Sequence, residues 1–157
     1  MARNRFRLCF FGILTLSVML MIFYMSAQDG TESGNLSEWL LNTTFGQFLI
    51  RILPRLSDAG DGFDIRKYAH MAEYALLAFS SLYFFIEVFA DFGVFPLRSA
   101  LCALLLCFLY ACSDEFHQTF VPGRAGQFAD VMIDTVGALF GLTVVVLIRM
   151  VVRKDLK

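Results

Sequence analysis

Four long apolar stretches divide the chain: Leu8–Met25, Tyr68–Phe89, Ser99–His117 and Ala129–Ile148. Each approaches the ~20 residues that a helix needs to cross a hydrocarbon core. The pattern predicts an all-α membrane protein with transmembrane helices over 8–25, 68–89, 99–117 and 129–148. Between the first two spans the chain turns polar and irregular, opening with SAQDGTESGN and closing with SDAGDGFD. Inside that connection Leu41, Phe45, Phe48, Leu49 and Ile52 recur at helical spacing, with Ser37 as an N-cap. An amphipathic helix at the membrane surface is expected there, with Trp39 as an interfacial anchor. DAGDGFD has the look of a calcium loop but lacks its spacing and closing glutamate, so a glycine-rich turn is expected.

The remaining connections are short. ADFGVFPLR, punctuated by Gly93 and Pro96, makes spans two and three an antiparallel hairpin. Pro122-Gly123 predicts a tight turn between spans three and four. The N-terminal MARNRFR followed by an apolar run resembles a secretion signal. The run exceeds the usual 7–15 residues, however, and lacks a small-x-small cleavage site, so an uncleaved first span is expected. With both termini in the cytoplasm, Arg3, Arg5, Arg7, Arg98, Arg149, Arg153, Lys154 and Lys157 lie inside. Arg51, Arg55, Arg66, Lys67 and Arg124 then lie outside. That excess of inner positive charge sets the expected orientation in a bacterial cytoplasmic membrane.

Composition agrees with this. Hydrophobic residues are 58% and charged ones 17%, against globular averages of roughly 45–50% and 25%. The 157 residues suffice for a single domain. A formal net charge of -1 gives no basic field for nucleic acid. Cys9, Cys102, Cys107 and Cys112 lie within or beside apolar segments and form no CxxC pair, so they read as packing residues.

Charge within or beside a span is costly and defaults to a functional-site hypothesis. In the expected topology such residues gather at one pole, where span two starts, span three ends and span four starts. His70, Glu73 and Tyr74 share one helical face. Asp114 aligns with His117 and Gln118, next to Glu115. Asp130 and Asp134 are one turn apart, with Asp134 roughly 6 Å deeper. Three helices thus each offer a carboxylate to one outward-facing pocket, closed over by Arg124 in VPGRAG. Crowded carboxylates need compensation. Arg124 pairs with them bidentately, some stay protonated, or a divalent cation binds. Asp130 also serves as ordinary helix-dipole chemistry, Lys67 as a snorkelling residue, and Gly137 with Gly141 as a GxxxG packing pair. No GxSxG, HExxH, Walker or CxxC motif nominates a nucleophile or metal.

With RKYAHMAEYALL, SDEFHQTFVPGRAGQFADV and IDTVGALFG, and FYMSAQDGTES after the first span, the chain resembles the VanZ-like family of small membrane proteins over about residues 20–141. The resemblance implies four transmembrane helices and a relation to a protein conferring resistance to the glycopeptide teicoplanin. It maps the family's motif residues onto His70, Glu73, Tyr74, Asp114, Glu115, Gln118, Arg124 and Asp130, and departs from the family at Asp134, where Asn is usual. The expected function is a cell-envelope protein whose outer pocket binds an amphiphile, a lipid headgroup or a cell-wall-linked ligand. The alternative is a membrane-embedded enzyme on a lipid-linked substrate, with His70 or His117 as general base and a cation held by Glu73, Asp114 and Asp130.

Overall fold

A computed structural model describes residues 4–29, 65–90 and 96–155, together with scattered positions between 35 and 51. Its long helices are α1 (Arg5–Ser26), α2 (Ile65–Val88), α3 (Pro96–Gln118) and α4 (Phe128–Asp155). Among the described residues there is no strand. All four helices are long and apolar enough to cross a membrane, over Arg5–Ser26, Lys67–Val88, Leu97–Gln118 and Phe128–Arg149. The fold is the expected four-span helical bundle. The helices outrun the apolar runs that predicted them: α1 begins at Arg5, three residues before Leu8, and α4 continues to Asp155. Helical hydrogen bonding does not stop where hydropathy does, and long basic side chains keep their charges at the interface. Asn4 closes the N-terminus of α1, its side chain accepting from Arg7 N at 3.2 Å.

The apolar positions of the expected surface helix (Leu41, Phe45, Phe48, Leu49 and Ile52), its cap Ser37 and DAGDGFD lie outside the described residues. Within that connection Trp39 is helical and exposed.

Helix α2 is the centre of the bundle. It packs most extensively on α4, then on α1 and α3, whereas α1 barely meets α3. Small residues make this possible. A Cβ on Gly137 would collide with the backbone of Met71, and one on Gly141 would sit 2.6 Å from the Ala75 carbonyl oxygen. The GxxxG pair therefore brings α4 onto the α2 backbone, as close-packed membrane helices require. Ala78, Ala103, Cys107, Ala111 and Ala138 continue this small-residue core around Ile22, Tyr74 and Leu77. Larger apolar side chains point outward, including Ile13, Leu16 and Leu20 on α1 and Leu101, Leu105 and Leu109 on α3. This inside-out distribution suits lipid, where packing, not water exclusion, holds helices together. Thr15, Ser80, Ser81, Thr135 and Thr143 return their hydroxyl protons to carbonyls of their own helices, so mid-span polarity is satisfied locally.

Neighbouring helices in the chain alternate in direction. The start of α1 meets the end of α2, where Arg7 Nε lies 3.2 Å from Glu87 Oε1 and Asn4 N donates to Glu87 Oε2 at 3.2 Å. At the same end the Arg149 guanidinium covers the Tyr83 ring at 5.6 Å. The end of α1 meets the end of α3 at the opposite pole.

Candidate functional site: a buried polar cluster at one pole

The last turn of α3 is the base of this cluster. Asp114, Glu115 and Gln118 share a face there, and all three are buried. Gln118 Nε2 donates to Asp114 Oδ2 at 3.1 Å and to Glu115 Oε1 at 3.0 Å. One amide nitrogen with two protons thereby holds two carboxylates apart at i−4 and i−3. The second oxygen of each acid is bound by another element. Ser26, the last residue of α1, donates to Asp114 Oδ1 at 2.6 Å. Gln127 N, at the entrance to α4, donates to Glu115 Oε2 at 2.9 Å.

That last contact depends on how the chain leaves α3. Val121, Pro122, Gly123 and Arg124 form a turn closed by Arg124 N donating to Val121 O at 3.1 Å. Gly123 adopts φ 73°, and proline followed by a positive-φ glycine is the signature of a type II turn. Gly126 then passes against the end of α3, where a Cβ would strike the Glu115 carbonyl. Pro122-Gly123 thus makes the expected tight turn, and the glycine after Arg124 lets the loop lie flat on the cluster.

Arg124 is directed at α1. Its Nε donates to Gln28 O at 3.2 Å and its Nη2 to Met25 O at 3.5 Å, while Nη1 reaches Gln118 Oε1 at 3.5 Å. The final carbonyls of a helix lack intrahelical partners and carry partial negative charge, so a cation is favoured there. The guanidinium fastens the end of α1 to the end of α3.

Helices α2 and α4 complete the walls. Lys67 Nζ lies 3.2 Å from Asp130 Oδ1, joining the two helices at a half-buried rim. One turn along α2, His70 Nδ1 stands 3.6 Å from Glu73 Oε2. Glu73 faces Asp114 and Arg124, and Tyr74 faces Asp114 and Asp134. Asp134 in turn faces Glu115, Asp114, Asp130 and Glu73. Tyr74 is 0% exposed and Asp134 1%. Neither the Tyr74 hydroxyl nor Asp134 Oδ2 has a hydrogen-bond partner among the described residues. In lipid such atoms are costly, with no water at hand to take the missing bond.

Glu73, Tyr74, Asp114, Glu115, Gln118, Arg124, Asp130 and Asp134 therefore come together, with His70 beside Glu73. His117 faces α1 instead, its ring 4.6 Å from that of Phe23. Sequence reasoning missed the contribution of α1: Ser26 and the carbonyls of Met25 and Gln28. It also missed Gln127 N and Tyr110, whose hydroxyl donates to Met19 O in α1. Ser26 carries a weak signal as a polar residue at the end of an uncharged span; backbone partners carry none. Among the described residues no three His, Cys, Asp or Glu side chains are placed to hold a metal ion.

Fold and cluster together define a four-span membrane protein with an acidic network buried at one end. The VanZ/LLP1 family model matches residues 11–149, nearly the whole chain and every residue of that network, and the chain belongs to this family. It is an integral membrane protein. No curated protein and no solved structure matches it.

Proposed function

We propose that the polar pole lies at the outer face of the cytoplasmic membrane, with both termini inside, and binds the head of an amphiphile, a lipid or a cell-wall-linked molecule. The sidedness rests on the lysine and arginine distribution. The binding reading rests chiefly on Asp134, a carboxylate 1% exposed within a span whose Oδ2 has no protein partner among the described residues. A group retained there at such cost, beside an equally buried and unpartnered Tyr74 hydroxyl, has the character of a site and not of a scaffold. Resistance to teicoplanin, an amphiphile built on a peptide, is the cellular role towards which the family resemblance points.

A membrane-embedded enzyme is the second reading, favoured by one contact. His70 Nδ1 at 3.6 Å from Glu73 Oε2 would orient the imidazole as a general base.

The test is native mass spectrometry of detergent-purified wild type beside Asp114→Asn and Asp134→Asn, with thermal stability recorded. Binding predicts an amphiphile retained by wild type and lost by variants that remain folded. Identical retention by all three proteins would sink it.

A further inference from the structure

The binding reading leaves the chemistry of the bound head open, and the distribution of charge and hydrogen-bond capacity narrows it. Within the cluster α2 supplies Glu73, α3 supplies Asp114 and Glu115, and α4 supplies Asp130 and Asp134. The permanent cations facing them among the described residues are Arg124 from the loop and Lys67 from α2, with His70 a third when protonated. Lys67 lies against Asp130 at the rim. Arg124 directs donors at Met25 O, Gln28 O and Gln118 Oε1. Carboxyl groups outnumber the cations.

Hydrogen-bond capacity tells the same story independently. Asp114 and Glu115 have both oxygens engaged, by Ser26, Gln118 and Gln127. The buried oxygens without a hydrogen bond are Asp134 Oδ2, the Tyr74 hydroxyl, Glu73 Oε2, which has His70 Nδ1 at 3.6 Å, and Asp130 Oδ1, which has Lys67 Nζ at 3.2 Å; of these the first three lie inward of the rim. These three inner oxygens are able to accept, and Asp134 and Tyr74 are essentially fully buried. An anionic head would need donors that the arginine spends on helix ends. A divalent ion would need several oxygens on one point, and no such set is formed among the described residues. A primary ammonium carries one positive charge and three N–H donors on a compact centre, and tolerates looser geometry.

From this we infer that the cluster recognises a primary ammonium group carried by an amphiphile, with Asp134, Glu73 and Tyr74 as its acceptors. The inference rests on the binding reading above and specifies it. The two sources of such a group are an aminophospholipid head and a smaller amphiphilic amine. Both would enter at the half-buried rim of Lys67 and Asp130, apolar tail along the outward-facing side chains.

The experiment uses the full chain in detergent. It is challenged with phosphatidylethanolamine, phosphatidylcholine and phosphatidylglycerol of identical acyl chains, and separately with dodecylammonium. Retention is read by native mass spectrometry and thermal shift. Phosphatidylethanolamine is expected to be retained about tenfold over phosphatidylcholine, whose quaternary nitrogen has no N–H to donate, the scale of one charge-assisted hydrogen bond. Asp134→Asn should abolish the preference. Tyr74→Phe, which removes one oxygen and keeps the ring, should reduce it and serves as the deciding variant if Asp134→Asn does not fold. Dodecylammonium retained alongside the phospholipid identifies any amphiphilic amine as ligand; exclusion of dodecylammonium identifies the lipid head. A preference for phosphatidylglycerol would overturn the ammonium assignment while leaving a binding site. Stabilisation by calcium or magnesium that depends on Asp134, with no amine preference, would overturn it in favour of a metal. Equal retention of every probe by wild type and variants would overturn the ammonium assignment and the binding reading together.

Discussion

The two poles of the bundle solve the problem of a buried carboxylate in opposite ways. At one, Glu87 is 4% exposed and meets a guanidinium from Arg7 and a backbone N–H from Asn4, so both its oxygens are bound. One guanidinium and one backbone N–H satisfy this acid. At the other pole five carboxylates meet two permanent cations among the described residues, and Asp134 keeps an oxygen without a partner. The first arrangement is what helix packing alone calls for. The second exceeds it, and the proposed binding site rests on that excess.

Both poles hang on one seam, so the largest effect should come from disturbing it. Gly137→Val places a side chain where the Met71 backbone lies, and α4 must move off α2. A loss of about 3 kcal/mol or more, or failure to accumulate in membranes, is expected from overpacking of this kind. Thermal unfolding in detergent would show it, and wild-type stability would mean the helices are not so close. Next, Arg7→Ala leaves Glu87 buried without its guanidinium. Because Arg7 is itself 42% exposed, the cost should be about 1–2 kcal/mol, below the 3–5 kcal/mol of a fully buried pair.

The comparison is sharpest at Asp134. Asn there is nearly isosteric and replaces an oxygen, Oδ2, that has no hydrogen-bond partner among the described residues. Stability should be unchanged or higher, by under about 1 kcal/mol, while ligand retention falls. A loss of stability at Asp134 equal to that of Arg7→Ala would mean the poles are alike after all, both structural. Smallest should be Lys67→Ala. Its pair with Asp130 is more than one quarter exposed on each side, and such pairs contribute about 0–1 kcal/mol. A clear fall in stability there would move Lys67 from the rim into the framework.

The spans could be read before any fold was known, because hydropathy over some twenty residues reports on a solvent, and lipid accepts few other structures. Helical spacing likewise paired Asp114 with Gln118 and His70 with Glu73, since i,i+3 and i,i+4 neighbours need no tertiary information. His117, also i+3 from Asp114, lies against Phe23 of α1. Spacing gives a face of about a hundred degrees, and the neighbour in the fold selects the direction within it. The share of α1 in the cluster was barely legible. No charged residue lies in its C-terminal half, and what it and the residues just after it contribute is the Ser26 hydroxyl and two backbone carbonyls, a group every residue possesses.

Sequence alone determined the four candidate spans, their approximate ends, the gathering of acidic residues at one pole and the family. Each is a property of local composition or of a linear motif. Tertiary structure decided which oxygens are already bonded. Arg124, by sequence the natural partner of the carboxylates, hydrogen-bonds the carbonyl ends of α1, and the amide of Gln118 bridges Asp114 and Glu115. The oxygens left without a hydrogen bond at Asp134, Glu73 and Tyr74 are set by those engagements. Hydrogen-bond capacity is consumed in space, between groups far apart in the chain, and no one-dimensional pattern records it.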